Sequence, residues 1–449
     1  QLPALIYNLF VIYTTAFLRS YSQNKTSTPR PISKDSQQKV RETKLLHPEN
    51  KTEKKINSTS QKCASLKNTG FWKSVLIGIP YPKSTLISLA IFSVNLTLLF
   101  GVLDYVHRAR TFYPAENLSF ARIGYISPTE ASIVLREPNT SLLPISVFFR
   151  IETPKETSHN LSWQTAGTIT SLDNSTDFTG ALNFKIPNGS DRTYKWTTSN
   201  NHSGFFTTPP NVGNMSENGD FTFLTSSCIK IGFPYNPFNH PLTISGFKYI
   251  SKVLKIIPRA QFMLFLGDFI YIDVPRRFGT SVEDYRREYR QVYASPDWSL
   301  VGQNLSWLHV LDDHEIANDW DSQKSGVYNS AVDPWRHYQT VVNPPRPRRA
   351  DNYDKVTYFQ FTQGPASFFM LDTRTYRESS RGSPPNATEK TMLGESQLSD
   401  LLAFLQKDEV EGVQWKFVIS SVPFTKNWRV NALDTWAGYL SERQKVLEA

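Results

Sequence analysis

Two stretches of the chain carry no charge, and the rest changes texture twice. Residues 1–18 and 84–103 are uncharged and largely apolar, the second reading STLISLAIFSVNLTLLFGVL. About 20 such residues make a helix long enough to cross a hydrocarbon core, so we expect transmembrane helices over 1–19 and 84–103. A signal-peptide core is the other reading of the first stretch, but RSYSQNK follows it, without a small-residue cleavage site. Between them, 20–83 is Ser/Thr/Lys/Gln-rich with little apolar periodicity, which predicts a disordered loop. From 118 to 215 short runs such as ASIVLRE, ISVFFRIE and TYKWTT alternate with turn signals. They predict a small antiparallel β-sandwich over 108–217. After 219 come five apolar runs that each end abruptly in polar residues: 221–228, 262–268, 308–313, 367–374 and 416–424. Helical patterns at 281–293 and 394–409 lie between them. Strands alternating with helices predict a layered α/β sheet over 219–449, with ligands gathering beyond the carboxyl ends of its strands.

Charge sets the orientation. The net charge is +9, but residues 19–85 hold 14 Lys/Arg against 4 Asp/Glu, while the remainder holds 35 basic against 36 acidic side chains. The basic character belongs to one loop, and no nucleic-acid-binding face is evident. Lys/Arg-rich flanks stay cytosolic, so everything after residue 104 is expected in the lumen of the secretory pathway or at the cell surface. Nine Asn-x-Ser/Thr acceptors in that part agree: Asn117, Asn139, Asn160, Asn174, Asn188, Asn201, Asn214, Asn304 and Asn386. Asn24, Asn50 and Asn57 fit the pattern too, but would face the cytosol and stay bare. The two cysteines, Cys63 and Cys228, then lie on opposite sides of a membrane and cannot pair. Cys228 becomes a lone thiol in an oxidising compartment, either buried as a small hydrophobe or holding a metal as thiolate. The chain of 449 residues is 39% hydrophobic and 13% aromatic, enough for a large core. It starts at Gln1 and stops inside the amphipathic run SERQKVLEA, so we expect a fragment or processed chain cut at its C-terminal end.

The strand ends carry the candidate chemistry. Cys228 follows the first run, Asp268 and Tyr271 stand in GDFIYID, and Asp372 and Arg374 stand in LDTRTYR. The segment HVLDDHEIANDWD, residues 309–321, places five carboxylates and a histidine within ten residues. Gathered carboxylates resist desolvation unless a cation neutralises them. Phenolate and thiolate suit a strongly Lewis-acidic ion such as ferric iron, and an oxygen-rich second site suits calcium, magnesium or manganese. Paired metals serve displacement at phosphorus.

The ordered set SSC, GDFIYID, LDDHE with the following ND, LDTRTYR and SSVPF resembles the PhoD-like (alkaline phosphatase D) branch of the calcineurin-like metallophosphoesterases, over roughly 219–449. The resemblance implies an α/β/β/α metallophosphoesterase domain preceded by a β-sandwich, in a long membrane-anchored form of fungal type. It implies hydrolysis of phosphate mono- or diesters with Fe3+ plus Ca2+, or Mn2+, Mg2+ or Zn2+ in place of the latter. Position by position, Asp268 bridges two metals, Cys228 and Tyr271 bind the ferric ion, and Asp313 binds the second, with Asn318 a further ligand. His314 is the proton donor or charge stabiliser beside the phosphoryl group, and Arg374 grips the substrate phosphate. The sequence departs from the pattern in two places. The C-terminal G-D-x-H-type motif is absent, His337 being the last histidine, and VISSVPF offers serines where other members place a histidine.

Blander roles fit the neighbours. Asp312 orients His314 or caps a helix; Glu315, Asp319 and Asp321 stand behind the ligands or face solvent. His309 is a satisfied core histidine, and Asp372 pairs with Arg374 or Arg377. Two further readings stay open: a catalytically incomplete glycoprotein that binds phosphorylated ligands or acts as a scaffold, and a two-carboxylate glycosidase, which explains neither Cys228 nor Tyr271.

Overall fold

The computed structural model describes residues 11, 14, 15, 18, 70–81, 83–152, 162–187, 189–346, 356–379, 381–425 and 432–449. The chain divides into two compact units, Gln1–Asp104 and Tyr105–Ala449.

In the first unit the span expected over 1–19 lies outside the described residues, apart from positions 11, 14, 15 and 18, which are helical. The 20–83 loop also lies largely outside them. Its end departs from expectation, because FWKSVLI forms a helix, α1 (Phe71–Ile77). Gly78 closes it in the left-handed region at φ 73, donating its N–H to the carbonyls of Ser74 and Val75. The second helix, α2 (Thr85–Phe112), is the one helix among the described residues long and apolar enough to cross a membrane. It outruns the apolar stretch at 84–103, so the start expected for the sandwich at 108 is still helix.

The second unit holds the expected sandwich, in seven strands: β1 (Phe120–Ile126), β2 (Glu130–Arg136), β3 (Ile145–Ile151), β4 (Gln164–Ile169), β5 (Thr179–Lys185), β6 (Thr193–Thr198) and β7 (Ser203–Thr207). Two sheets, ordered β1-β2-β5 and β4-β3-β6-β7, face each other. Alternate side chains, Ile145, Val147 and Phe149 of β3 with Tyr194 and Trp196 of β6, meet Ile123, Ile133 and Leu135 of the other sheet in one core.

The part of the chain after residue 219 is four layers deep. Strands β8 (Leu224–Ser226), β9 (Phe262–Phe265) and β10 (Ser306–His309) form a parallel sheet. Strands β11 (Phe359–Gln363), β12 (Ala366–Met370) and β13 (Trp415–Ile419) form a second. The period-2 alternation of side chains assigns each face. Phe262, Leu264 and Leu308 meet Phe359, Phe361, Phe368 and Met370 between the sheets. On the outer side of the first sheet, Met263, Phe265 and Trp307 pack against helices α3 (Ser245–Ile256), α4 (Val282–Tyr293) and α6 (Tyr328–Tyr338), with the one-turn α5 (Ser299–Gly302) beside α3. On the outer side of the second, Phe369 and Leu371 pack with Leu401 and Phe404 of α7 (Gly394–Gln406), and α8 (Leu440–Glu448) closes the layer. The order is α/β/β/α.

Buried charge joins the sandwich to the layered α/β part. Asp177, 2% exposed in the turn before β5, accepts from Arg136 Nη2 at 2.9 Å, from Arg290 Nη1 of α4 at 2.9 Å to each oxygen, and from the Tyr338 hydroxyl at 2.5 Å. Arg286, one turn earlier on α4, donates to the carbonyls of Asn174 (2.7 Å) and Ser175 (2.5 Å).

Candidate metal and active site

Parallel strands β8, β9 and β10 end together, so the segments that leave them share one rim. The ladder continues past the strands, with Leu266 N–H on Ser226 O (2.8 Å), Cys228 N–H on Gly267 O (3.2 Å) and Ile229 N–H on Asp268 O (3.0 Å). The chain then turns through unusual backbone. Cys228 (φ 61), Asp268 (φ 57) and Asp319 (φ 56) all adopt the left-handed region, which non-glycine residues avoid and functional sites collect. Gly267, at φ 90, lets the β9 and β10 ends approach, since a Cβ there would stand 2.3 Å from Asp312 Cβ.

Glu315 locks these ends together. Fully buried, its carboxylate accepts the N–H groups of Asp268 (2.9 Å), Phe269 (2.5 Å) and Asp312 (2.9 Å). Burial, and then the charge of Asp268, pushes Glu315 well above the ordinary carboxylate range, against the three N–H donors. The sequence reading left it behind the ligands or in solvent; solvent is excluded. Glu315→Gln turns an amide NH2 toward one of those N–H groups. It should cost about 1–3 kcal/mol, read as a lower urea midpoint at unchanged m-value. A midpoint matching the parent would show that the clasp carries no stability.

The expected ligands converge on Asp268. Its Oδ2 accepts from the Tyr271 hydroxyl at 2.9 Å and from the Cys228 thiol at 3.3 Å, and its Oδ1 accepts the His314 N–H at 3.2 Å. Cys228 is exposed, which removes the buried-hydrophobe reading. Donor atoms of Asp268, Asp313 and His314 lie within 4.8 Å of one another, as do those of Asp313, Asp319 and Asp434. Asp313 is shared by both groups. Asp319, read as a background carboxylate, therefore stands with the candidate ligands. Asn318 is exposed and meets the site through its N–H, which Asp273 accepts at 2.7 Å.

Two partners escaped the sequence reading. Asp273 Oδ1 lies 2.7 Å from His314 Nδ1, which fixes the ring, while the Tyr271 ring stacks obliquely on it at 4.2 Å. Burial would lower His314, but the Asp273 hydrogen bond and charge outweigh it and raise the imidazole. Asp434 forks onto Arg374, at 2.8 Å from Nη1 and 3.0 Å from Nη2, and takes Arg377 Nη1 at 2.6 Å.

Arg374 differs from expectation. It is 2% exposed and committed to carboxylates, with Nε on Asp312 Oδ1 at 2.6 Å and Nη2 3.6 Å from Asp313. A guanidinium so held has no fork left for a phosphate; it neutralises the acid cluster from behind. Asp312 accordingly pairs with Arg374 rather than orienting His314. Asp372 caps its own turn instead of pairing with an arginine side chain, its Oδ1 accepting the N–H groups of Arg374 and Thr375 at 2.9 Å. The serines of VISSVPF are occupied too: Ser420 accepts Trp436 Nε1 at 3.1 Å, and Ser421 lies 2.7 Å from the Thr373 hydroxyl. His309 is buried but is not the satisfied core histidine expected: among the described residues neither ring nitrogen has a hydrogen-bond partner, and burial lowers the imidazole well below the ordinary range.

The donor set fits a cation. Burial first, then the charge of Asp313, raises Asp268; burial, then Asp268, raises Tyr271; and, although the residue as a whole is exposed, desolvation of its sulfur by the neighbouring groups raises Cys228. Each would keep a proton unless positive charge replaced it. Ligands about 2.0–2.3 Å from one ion stand roughly 3 Å apart, which is the spacing of Asp268 from Tyr271 and from Cys228.

The model of the PhoD-like phosphatases matches residues 223–449. The chain belongs to the PhoD-like phosphatase family. That makes it a metal-dependent phosphoester hydrolase, and the carboxylate–histidine groups on the strand rim are its candidate metal ligands. A solved structure described as that of PhoD is similar with a TM-score of 0.55 and 18% identity, over 75% of this chain and 69% of the other. At that identity the likeness speaks for the fold alone. No curated protein matches the chain.

Proposed function

We propose that this PhoD-like phosphatase is anchored in a membrane by α2, and by a further span over 1–19, and hydrolyses phosphate mono- or diesters with two metal ions on the non-cytosolic side. The observation that carries the binuclear reading is the pair of donor groups that share Asp313, one containing Asp268 and His314, the other Asp319 and Asp434.

Cys228 and Tyr271 would hold the ferric-type ion, Asp313, Asp319 and Asp434 the second, oxygen-bound ion such as calcium, and Asp268 would serve both. Asn318 stays a candidate only if its side chain turns inward. Bound there, the ions would activate water and neutralise charge on the phosphoryl oxygens. The rest falls to the chain. His314, oriented by Asp273, presents Nε2 to the leaving oxygen and donates the proton that oxygen needs. Glu315 fixes the β9 and β10 ends, so the ligands are placed before substrate arrives. Arg374, held by Asp312 and Asp434, positions the carboxylates and limits their repulsion.

Exposure of Asn117, Asn139, Asn174, Asn201, Asn214 and Asn304 supports glycosylation and hence a lumenal or extracellular catalytic part. Asn386 is exposed as well, and Asn160 and Asn188 lie outside the described residues. The domain reading that goes with this is a sandwich from about Phe120 to residue 217, after the helix that ends at Phe112, followed by the catalytic part from 219.

Metal analysis of the purified chain tests the site. We expect about two ions per chain, iron among them, and loss of phosphoester hydrolysis on chelation, with recovery on adding the ions back. Full hydrolysis by metal-free protein would overturn the proposal.

A further inference from the structure

We propose that the loop at residues 232–241 lies in the headgroup layer of the bilayer, as a membrane-interfacial surface of the catalytic part. This rests on the membrane-anchored reading above. The loop, GFPYNPFNHP, contains three aromatic rings and no acidic residue. Its rings are turned outward, Phe238 at 95% and Phe233 at 62% exposure, with Tyr235 at 38%. Rings of this size cluster on a surface where something apolar covers them.

The position of the loop says what covers it. It is pinned along the last turns of α2, with the Tyr235 ring 5.6 Å from that of Tyr105, Arg108 Nη1 donating to the Pro237 carbonyl at 2.9 Å, and the His240 ring 4.8 Å from that of Tyr113. The uncharged stretch ends at residue 103. A helix rises about 1.5 Å per residue, so Tyr105 stands roughly 3 Å beyond the hydrocarbon edge. The headgroup layer is about 5–7 Å thick on each side. Side chains that touch Tyr105 and Arg108 therefore lie inside that layer or at its outer edge, where aromatic rings and arginines are favoured. Phe278 touches the same turns, 5.5 Å from the His107 ring. It follows Asp273, the partner of His314, by five residues, which span at most about 18 Å.

The test is photocrosslinking of the full chain in phosphatidylcholine vesicles, with benzoylphenylalanine placed singly at three exposed positions. Phe238→benzoylphenylalanine reads the loop. Leu98→benzoylphenylalanine, 63% exposed on α2, reads the anchor, and Trp415→benzoylphenylalanine, 61% exposed at the start of β13, reads water. Burial of an aromatic ring is worth at least about tenfold in partition, so lipid adducts at 238 should exceed those at 415 by that factor and accompany adducts at 98. Adducts at 98 without adducts at 238 overturn the interfacial loop and leave the anchor standing. Adducts at neither overturn both. Chain-to-chain adducts at 238 in place of lipid adducts overturn the loop in favour of self-association. Phe233→benzoylphenylalanine repeats the reading at a second ring.

Discussion

Asp268→Asn is expected to cut phosphoester turnover about a thousandfold while leaving the fold intact. Both Asp268 oxygens are engaged, Oδ2 by Tyr271 and Cys228, Oδ1 by the His314 N–H. The proposed role is to bridge two cations. An amide keeps the size and one acceptor but loses the charge and one ligand atom. Cation stabilisation of the transition state is worth several kcal/mol, and about 4 kcal/mol corresponds to a thousandfold in rate. Stability should move the other way once the metal is removed. Burial and the charge of Asp313 raise Asp268 in the cation-free site, so the charged form is disfavoured there. A neutral side chain relieves that repulsion, and the chelated variant should melt no lower than the chelated parent. The parent should then gain more on adding metal than the variant, because only ions that bind the native state stabilise it. Loss of turnover with a lowered melting point in the chelated state would mark a folding defect. Retention of full turnover would end the bridging assignment.

The layers were legible because alternation survives in short strands. Met263 and Phe265 turn to the helices while Phe262 and Leu264 turn to the second sheet, and a run apolar on both faces reads as a buried strand. What stayed hidden had mixed signals. In α3 the buried residue Phe247 shares the helix with the exposed Tyr249, Val253 and Ile256, which blurs the period of 3.6. Pro334 inside α6 reads as a breaker. Strand β11 pairs with β12 through a turn at Gly364 (φ 53), a short hairpin with no polar cluster at its end to draw notice. At the site, the residue types at the strand ends pointed to Cys228, Asp268, Tyr271, Asp313 and His314. They could not say which charge answers which. Asp434 lies 60 residues after Arg374 and Asp273 lies 41 before His314. Such pairings arise only when the rims close. Arg374 shows the consequence: a forked donor beside a phosphate site and a forked donor neutralising the ligand carboxylates look the same in sequence.

Asp177→Ala is the substitution expected to cost most in stability, about 3–5 kcal/mol, because it strands buried charge. Asp177 and its partners Arg136 and Arg290 are each about 2% exposed. Arg290 would keep Glu283, whose side chain is 51% exposed and so screened by water. Arg136 would keep the carbonyls of Glu116 and Leu118, at 3.0 and 2.6 Å, and among the described residues no carboxylate. Burial first, then the charge of Asp177, keeps the Tyr338 phenol protonated, so its O–H also loses an acceptor. Domains are stable by about 5–15 kcal/mol, so the loss is a large share of the total and should appear as a markedly lower urea midpoint. Asp177→Asn separates charge from shape. Asparagine tolerates the φ of 51 at this position and retains one acceptor oxygen, so it should cost clearly less than alanine. Both variants should keep parental turnover per folded molecule in the cold, since the network lies between sandwich and α4 and touches no candidate ligand. Equal losses for alanine and asparagine would show that shape in the turn, and not the charge on Asp177, holds the two parts together.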